Sequence, residues 1–267
     1  MSLVKKKTLS ITKKGGGLSA LREEVKRSEI VAHIPVQETL IVCLDESYSM
    51  KDSITRVRGH TSLYSGRSGK TKIAAMRSAA QELVMSTTGA SEMGIIGFSS
   101  RIRVICEPTR ERKSLRDAVN SIEPTGQTNI RDALLKSGQF LSDSKSRVKR
   151  VILMTDGNET SQDTLRSSGG LRGMTEIADH PWLERHGLLG AHSFELPSRE
   201  MADLFSKEGW IIDTVAFGYD ADMHLLDMLS TKTGGVKKSA KDASELIKAF
   251  KSLEAGTRGL LTQGDER

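Results

Sequence analysis

One acid and two alcohols stand at alternate positions directly after the first strongly apolar segment of the chain. Residues 40–44, Leu-Ile-Val-Cys-Leu, form an apolar run that predicts a buried strand. Asp45, Ser47 and Ser49 follow it, and a short loop would present all three side chains on one side. Their oxygens are hard ligands of the kind that Mg²⁺ prefers. Asp and Ser are also common turn residues, so this motif needs support from elsewhere in the chain.

A second strand pattern ends on a carboxylate in the same way. Residues 150–155 predict another buried strand, and Asp156-Gly157 follows it. Between the two strands, the turn-rich segment 124–130 places the hydroxyl of Thr128 just before a helical stretch. Ligands of open α/β sheets bind outside the carboxyl ends of the strands, where the strand order reverses. We therefore expect these side chains to converge at that edge.

The elements that must position these residues alternate between strand and helix patterns. This alternation predicts a mostly parallel sheet covered by helices on both faces. Two short strands joined by a tight turn predict one antiparallel pair. The expected strands are about 38–44, 93–98, 101–106, 150–155 and 210–217, with a short one near Val236, and the expected helices lie near 71–87, 115–122, 134–141, 198–207, 225–229 and 246–253.

The residues Asp45-x-Ser47-x-Ser49, Thr128 and Asp156-Gly157 together resemble the metal-ion-dependent adhesion site of von Willebrand factor type A domains. The resemblance covers about residues 37–255. It implies a doubly wound, Rossmann-like, mostly parallel six-stranded sheet with one antiparallel edge strand and helices on both faces. The segments outside it are expected to be a basic arm with a short helix, 1–36, and a tail, 256–267.

The resemblance also implies a role for each site residue. Ser47 and Ser49 would bind the metal directly, and Thr128 would bind it directly or through water. Asp45 and Asp156 would act mostly through bridging waters. A Glu or Asp of a partner protein would fill the last coordination position. Mg²⁺ is the expected ion, because it keeps several waters and demands oxygen ligands, and Mn²⁺ or Ca²⁺ are alternatives.

Composition suits a soluble globular protein. The 267 residues are 37% hydrophobic and 28% charged, and no apolar run approaches the length of a membrane helix. No signal-peptide pattern follows the lysines near the N-terminus, so we expect a cytoplasmic protein without a membrane contact. The two cysteines, Cys43 and Cys106, fall in predicted strands and are expected to be small buried core residues.

Positive charge is concentrated in two places. Residues 1–30 hold eight basic and three acidic residues, which accounts for +5 of the net charge of +6. A second basic cluster lies in the long loop 50–70 after the acid–alcohol motif. Localised charge of this kind indicates a partner. We expect an acidic partner surface to be contacted by Arg56, Arg58, Arg67 and Lys70.

Residues 157–197 interrupt the alternation with about forty extra residues, which we expect to shape the rim of the site. Intracellular members of the family often serve as adaptor or assembly subunits of ATP-driven chelatase or chaperone machines, or in stress responses such as tellurite resistance. The resemblance implies a metal-dependent protein-interaction module in that setting, without choosing among these systems.

Other functions fit less well. The segment 65–71 imitates a phosphate-binding loop, but Tyr64 replaces its first glycine and no strand directly precedes it. His180, His186 and His192 have the wrong spacing for a zinc site. A magnesium-dependent phosphotransfer or hydrolytic enzyme would need further acidic groups and a positioned base, so we expect no catalysis. Nucleic-acid binding through the lysine-rich arm remains an alternative, although the arm has no aromatic residue for base stacking.

Overall fold

The computed structural model describes residues 35–54, 71–160, 180–188, 197–218 and 220–262. The chain divides into two units, Met1–Pro35 and Val36–Arg267, and all the elements described here lie in the second. They include six strands: β1 (Glu38–Asp45), β2 (Ser91–Phe98), β3 (Ile102–Thr109), β4 (Val148–Thr155), β5 (Ile211–Phe217) and β6 (Lys237–Ala240). The predicted N-terminal arm, 1–36, lies outside the described residues except for its last two.

The six strands form one sheet in the order β3-β2-β1-β4-β5-β6. All neighbours are parallel except β2 and β3, which are antiparallel. The strand order reverses at β1, which lies between β2 and β4. This architecture confirms the predicted mostly parallel sheet with one antiparallel edge strand.

Helices cover both faces of the sheet. They are α1 (Lys72–Ser86), α2 (Arg112–Asn120), α3 (Ile130–Asp143), α4 (Pro181–Arg185), α5 (Ser198–Lys207), α6 (Met223–Lys232) and α7 (Ala243–Thr262), with a 3₁₀ helix at Tyr48–Lys51. The last helix continues past residue 255, where the sequence analysis ends the domain. In the described part of the chain, none of the helices combines the length and apolarity needed to span a bilayer.

Two hydrophobic cores lie on opposite faces of the sheet, and β1 contributes to both. Leu40, Val42 and Leu44 belong to the core beneath α1, α2 and α7. Ile41 and Cys43 belong to the core beneath α3, α4, α5 and α6. Successive side chains of a strand point to opposite faces, so a central strand with two covered faces needs the continuous apolar run that the sequence shows.

The two cysteines differ in burial. Cys43 is buried, as expected, with its Sγ atom 3.1 Å from Ser137 Oγ, and burial raises the pKa of its thiol to about 12. Cys106 is only partly buried, so the expectation of a buried core residue is wrong for this position. The reason is that Cys106 lies on β3, which is an edge strand.

One described part of the insertion belongs to the core. Trp182 in α4 is fully buried, and its ring stacks on that of Trp210 with 5.6 Å between centroids. The edge of Phe205 faces the same ring at 6.2 Å. The segment 180–188 is therefore anchored to the domain by an aromatic cluster, even though it departs from the strand–helix alternation.

Candidate metal site at the carboxyl edge of the sheet

Parallel pairing of β1 with β4 brings the two strand-terminal acids together. Leu44 lies opposite Met154 in the register of the two strands. Asp45 and Asp156 therefore leave the sheet side by side at its carboxyl edge, beside the reversal of strand order. Both residues are fully buried.

The serines of the first motif contact each other and the second acid. The Oγ atoms of Ser47 and Ser49 are 2.9 Å apart. Ser49 Oγ also donates a hydrogen bond of 2.7 Å to Asp156 Oδ1. The loop after β1 and the end of β4 thus share one polar cluster of two hydroxyls and a carboxylate.

Asp45 occupies the floor of this cluster. Its Oδ1 atom accepts a bond of 2.7 Å from Ser47 N, and its Oδ2 atom accepts one of 2.5 Å from Thr155 Oγ1. Burial, together with the nearby charge of Asp156, raises the pKa of Asp45 to about 6, although the bonds from Thr155 and Ser47 oppose the increase. A buried carboxyl group whose proton affinity is raised by burial and by a neighbouring carboxylate lies in a site that a cation would stabilise.

Thr128 joins the cluster from the loop before α3. A Cβ atom added at Gly157 would lie 3.7 Å from Thr128 Oγ1 and 3.8 Å from Ser49 Oγ. The two hydroxyls therefore flank Gly157, and the missing side chain leaves open the space beside them. All five residues that the sequence analysis assigned to the metal meet at this edge of the sheet.

Backbone contacts hold the Thr128 loop in place. Gly126 has a φ of 66°, which favours glycine, and its carbonyl accepts a bond of 3.0 Å from Tyr48 N. Gln127 N donates to Ser100 Oγ at 2.8 Å. Asn129 then caps α3 by accepting a bond of 3.2 Å from Asp132 N. The loop is thus attached at one end to the Ser47–Ser49 loop and at the other to a helix.

The residues just after Asp156 hold Thr128 from the other side. Thr128 N donates to Thr160 Oγ1 at 3.2 Å, and Thr160 N donates to Thr128 O at 2.9 Å. Glu159 Oε1 accepts a bond of 3.1 Å from Arg131 N and another from Ser198 Oγ. The start of α3 and the start of α5 are therefore both tied to the first residues of the insertion.

Sequence reasoning missed three side chains at this site: Thr155, Thr160 and Lys72. Lys72 Nζ lies 2.6 Å from Asp156 Oδ2. No local pattern in the sequence links Lys72 to a residue 84 positions away. The threonines carry no signal of their own, because hydroxyl residues are common near turns.

Other candidate residues lie elsewhere or outside the described structure. The partner-binding candidates, Arg56, Arg58, Arg67 and Lys70, are outside the described residues, so their role stays a prediction. Two of the histidines pair with separate acids: His180 with Asp143 at 3.2 Å, and His186 with Glu208 at 2.8 Å. His192 is also outside the described residues.

The donor set at the edge of the sheet suits a hard divalent cation. Hydroxyl and carboxylate oxygens are the ligands of Mg²⁺, Mn²⁺ and Ca²⁺. Throughout the residues that the structure describes, no three His, Cys, Asp or Glu side chains are grouped as a metal site. A metal bound here would consequently depend on the hydroxyls of Ser47, Ser49 and Thr128 as well as on the two aspartates. The open space beside Gly157 is consistent with such a ligand.

The fold and the candidate site are similar to those of von Willebrand factor type A domains. Residues 40–159 match the model of the family described as von Willebrand factor type A domain. No curated protein matches the sequence. The matched residues make up less than half of the chain, and the solved structures described next are similar to it in fold.

Three solved structures illustrate the likeness. A von Willebrand factor type A protein from Catenulispora acidiphila has a TM-score of 0.58 at 16% identity, over 83% of this chain and 42% of that one. The vWF domain of the type V pili tip protein Mfa5 from Porphyromonas gingivalis has a TM-score of 0.58 at 13% identity, over 84% and 96%.

The third structure contains a metal. Proximal thread matrix protein 1 from the mussel byssus, with a zinc-occupied MIDAS motif, has a TM-score of 0.56 at 16% identity, over 89% of this chain and 50% of that one. This chain spans less than half of the Catenulispora protein. At these identities the likeness shows the fold.

Proposed function

We propose that this chain is a divalent-metal-dependent protein-interaction module. Mg²⁺ would be held by Asp45, Ser47, Ser49, Thr128 and Asp156, and a Glu or Asp of a partner protein would complete its coordination. The observation that carries the proposal is the convergence of these five side chains from three separate chain segments. Helix capping and turn formation can each explain a single Ser or Asp, but they do not explain why residues from three loops lie together.

The division of labour among the ligands is the one that the family resemblance implies. The hydroxyls of Ser47 and Ser49 would contact the ion directly, and that of Thr128 directly or through water. Asp45 and Asp156 would act mostly through bridging waters. An ion coordinated mainly by neutral oxygens keeps most of its attraction for an incoming carboxylate. When bound, the metal would supply one electrophilic coordination position for that carboxylate. The protein residues orient and anchor it.

Two further parts of the proposal concern the setting. We propose an intracellular adaptor or assembly subunit, of the kind associated with ATP-driven chelatase-like machines or tellurite-resistance-type systems. We also propose that the chain is not an enzyme, since the acids of the site are engaged by Ser47, Ser49, Thr155 and Lys72. None of them is arranged as a base that would activate water.

Metal binding is tested first, by titrating Mg²⁺ and then Mn²⁺ into the whole protein in a calorimeter. Wild type should bind about one ion. Ser47→Ala and Asp156→Ala should each lose most of the affinity. Ser78→Ala is the matched control, because Ser78 is an exposed α1 serine whose hydroxyl bonds only the Ala74 carbonyl among the described contacts. Equal affinity in wild type and Ser47→Ala would overturn the assigned site.

Partner capture is tested second, by passing native lysate over the immobilised protein in Mg²⁺ or in EDTA. The proposal expects proteins that are retained by wild type in Mg²⁺ and lost both in EDTA and with Ser47→Ala. If the same proteins are retained in all three cases, binding does not run through the metal. Retention that ignores EDTA but falls steeply with salt would favour nucleic-acid or other charge-driven binding by the basic arm.

A further inference from the structure

A buried lysine already occupies part of the candidate metal site. Lys72 Nζ lies 2.6 Å from Asp156 Oδ2, and the two side chains are 10% and 0% exposed. The other oxygen of this carboxylate, Oδ1, accepts the bond from Ser49 Oγ. Asp156 is therefore shared between a site hydroxyl and a cation that belongs to the protein.

The backbone around Lys72 is firmly placed. Thr71 caps α1 by accepting a bond of 3.3 Å from Ala74 N, and it forms an isolated antiparallel bridge with Ser53. Lys72 N donates to Asp52 O at 2.9 Å. The two ends of the loop after the serine motif are thus joined at the position where the lysine side chain leaves the helix.

The position of Lys72 suits its pairing with Asp156 but is unfavourable for the helix. It is the first residue of α1, where the helix dipole disfavours a positive charge. Its side chain passes beside Gly218, after β5, where an added Cβ would lie 3.6 Å from Lys72 Cε and 3.7 Å from its Nζ. Burying an amine here is costly unless it is paired, and Asp156 supplies the pair.

The charge balance shows what Lys72 does to a bound metal. With both carboxyl groups ionised, Asp45, Asp156 and Lys72 carry a formal charge of about −1, and a divalent ion would bring the site to about +1. Without the lysine, the loaded site would be neutral. Lys72 thus opposes the metal and favours an incoming anion.

We propose that Lys72 is a built-in counter-cation that lowers the metal affinity of this site and raises the affinity of the metal-loaded site for a carboxylate. The inference rests on the proposed function, because it assumes that a metal binds. A lysine that only oriented Asp156 would have the opposite effect on metal binding, since its loss would leave a ligand misplaced.

The test compares Lys72→Met with Lys51→Met by calorimetric titration of Mn²⁺. Lys51 is an exposed lysine that ends the 3₁₀ helix Tyr48–Lys51, and its Nζ lies 4.6 Å from the centre of the Tyr48 ring. Unit charges a few ångströms apart interact strongly even near a protein surface, so Lys72→Met should bind Mn²⁺ at least about tenfold more tightly than wild type. Lys51→Met should stay within about twofold, because exposed charges are screened.

A second variant guards against misfolding. Lys72→Gln removes the charge but keeps an N–H donor for Asp156, and it should also bind Mn²⁺ more tightly. Circular dichroism in EDTA shows whether each variant is folded. Equal or weaker Mn²⁺ affinity in a folded Lys72 variant overturns the counter-cation role.

The anion side is measured with acetate as the probe, through the relaxation of its methyl protons by bound Mn²⁺. Acetate should bind the loaded wild type several-fold more tightly than loaded Lys72→Met, and equal affinity would contradict the proposal. The two failures remain distinguishable. If wild type binds no Mn²⁺ or Mg²⁺, the proposed function fails together with this inference; if wild type binds metal and the Lys72 variants bind no better, only the inference fails.

Discussion

The packing of Trp182, in the insertion, against Gly138 of α3 can be tested with a double-mutant cycle at these two positions. Gly138 lies in the middle of α3, and a Cβ atom added there would lie 2.5 Å from Cζ3 and 2.8 Å from Cζ2 of Trp182. Real Cβ atoms do not approach other atoms so closely, so the ring must move. Gly138 is therefore present because the indole occupies the place of its side chain.

The expected free-energy changes follow from this overlap. Overpacking of a core costs about 1–3 kcal/mol, while replacing a helix-interior glycine by alanine returns about 1 kcal/mol. Gly138→Ala alone should therefore destabilise by roughly 0–2 kcal/mol. Trp182→Ala removes a fully buried ring and should cost about 3–5 kcal/mol.

The double variant separates docking from a general loss of packing. Once the indole is gone, the methyl group at 138 has room, so Gly138→Ala should stabilise the Trp182→Ala protein by about 1 kcal/mol. The coupling energy of the cycle should equal the relieved overlap, about 1–3 kcal/mol. Urea unfolding followed by circular dichroism gives all four free energies of unfolding in EDTA. Additivity of the two substitutions within about 0.5 kcal/mol would refute the contact.

Two further predictions concern the metal site. Thr160→Val removes the hydroxyl that accepts a hydrogen bond from Thr128 N. It should weaken Mn²⁺ binding about three- to tenfold, because a lost hydrogen bond costs about 1 kcal/mol. Thr88→Val is a control far from the site, and equal Mn²⁺ affinity in the two variants would contradict the prediction. The pKa of Asp45 is raised from 3.8 to about 6 in the folded protein. The protonated carboxyl group therefore stabilises the fold fully below pH 3.8, and this contribution is lost as pH rises through 6. In EDTA, the free energy of unfolding of Asp45→Asn relative to that of wild type should therefore rise by up to about 3 kcal/mol between pH 4 and pH 7. If urea unfolding gives the same pH dependence for both proteins, the raised pKa of Asp45 does not contribute to stability.

Much of the fold could be predicted because its signals are local. The continuous apolar runs of β1 and β4 indicate strands buried on both faces, and their cores confirm it. The period of apolar residues in 198–207 predicts a helix with the bounds that α5 has. Cys106 was predicted as buried because an apolar strand pattern does not reveal whether a strand lies at the edge of the sheet.

The candidate site was predictable to the extent that each residue sits at a recognisable boundary between elements. Asp45 and Asp156 each end a strand, and Thr128 precedes a helix. Parallel strands align their carboxyl ends, so residues at such boundaries meet without any further information. Their assignment to a metal remains a prediction for the titrations to test.

The sequence by itself determined that the two strand-terminal aspartates and the hydroxyls of Ser47, Ser49 and Thr128 reach the carboxyl edge of the sheet, because strand periodicity and strand ends are properties of short segments. Only the tertiary structure decided what surrounds them there. The pairing of Lys72 with Asp156 spans 84 positions, and Trp182 fits against α3 only because residue 138 is glycine. Such contacts depend on where helices and insertions come to lie on the sheet, and that placement is set by the packing of the whole domain.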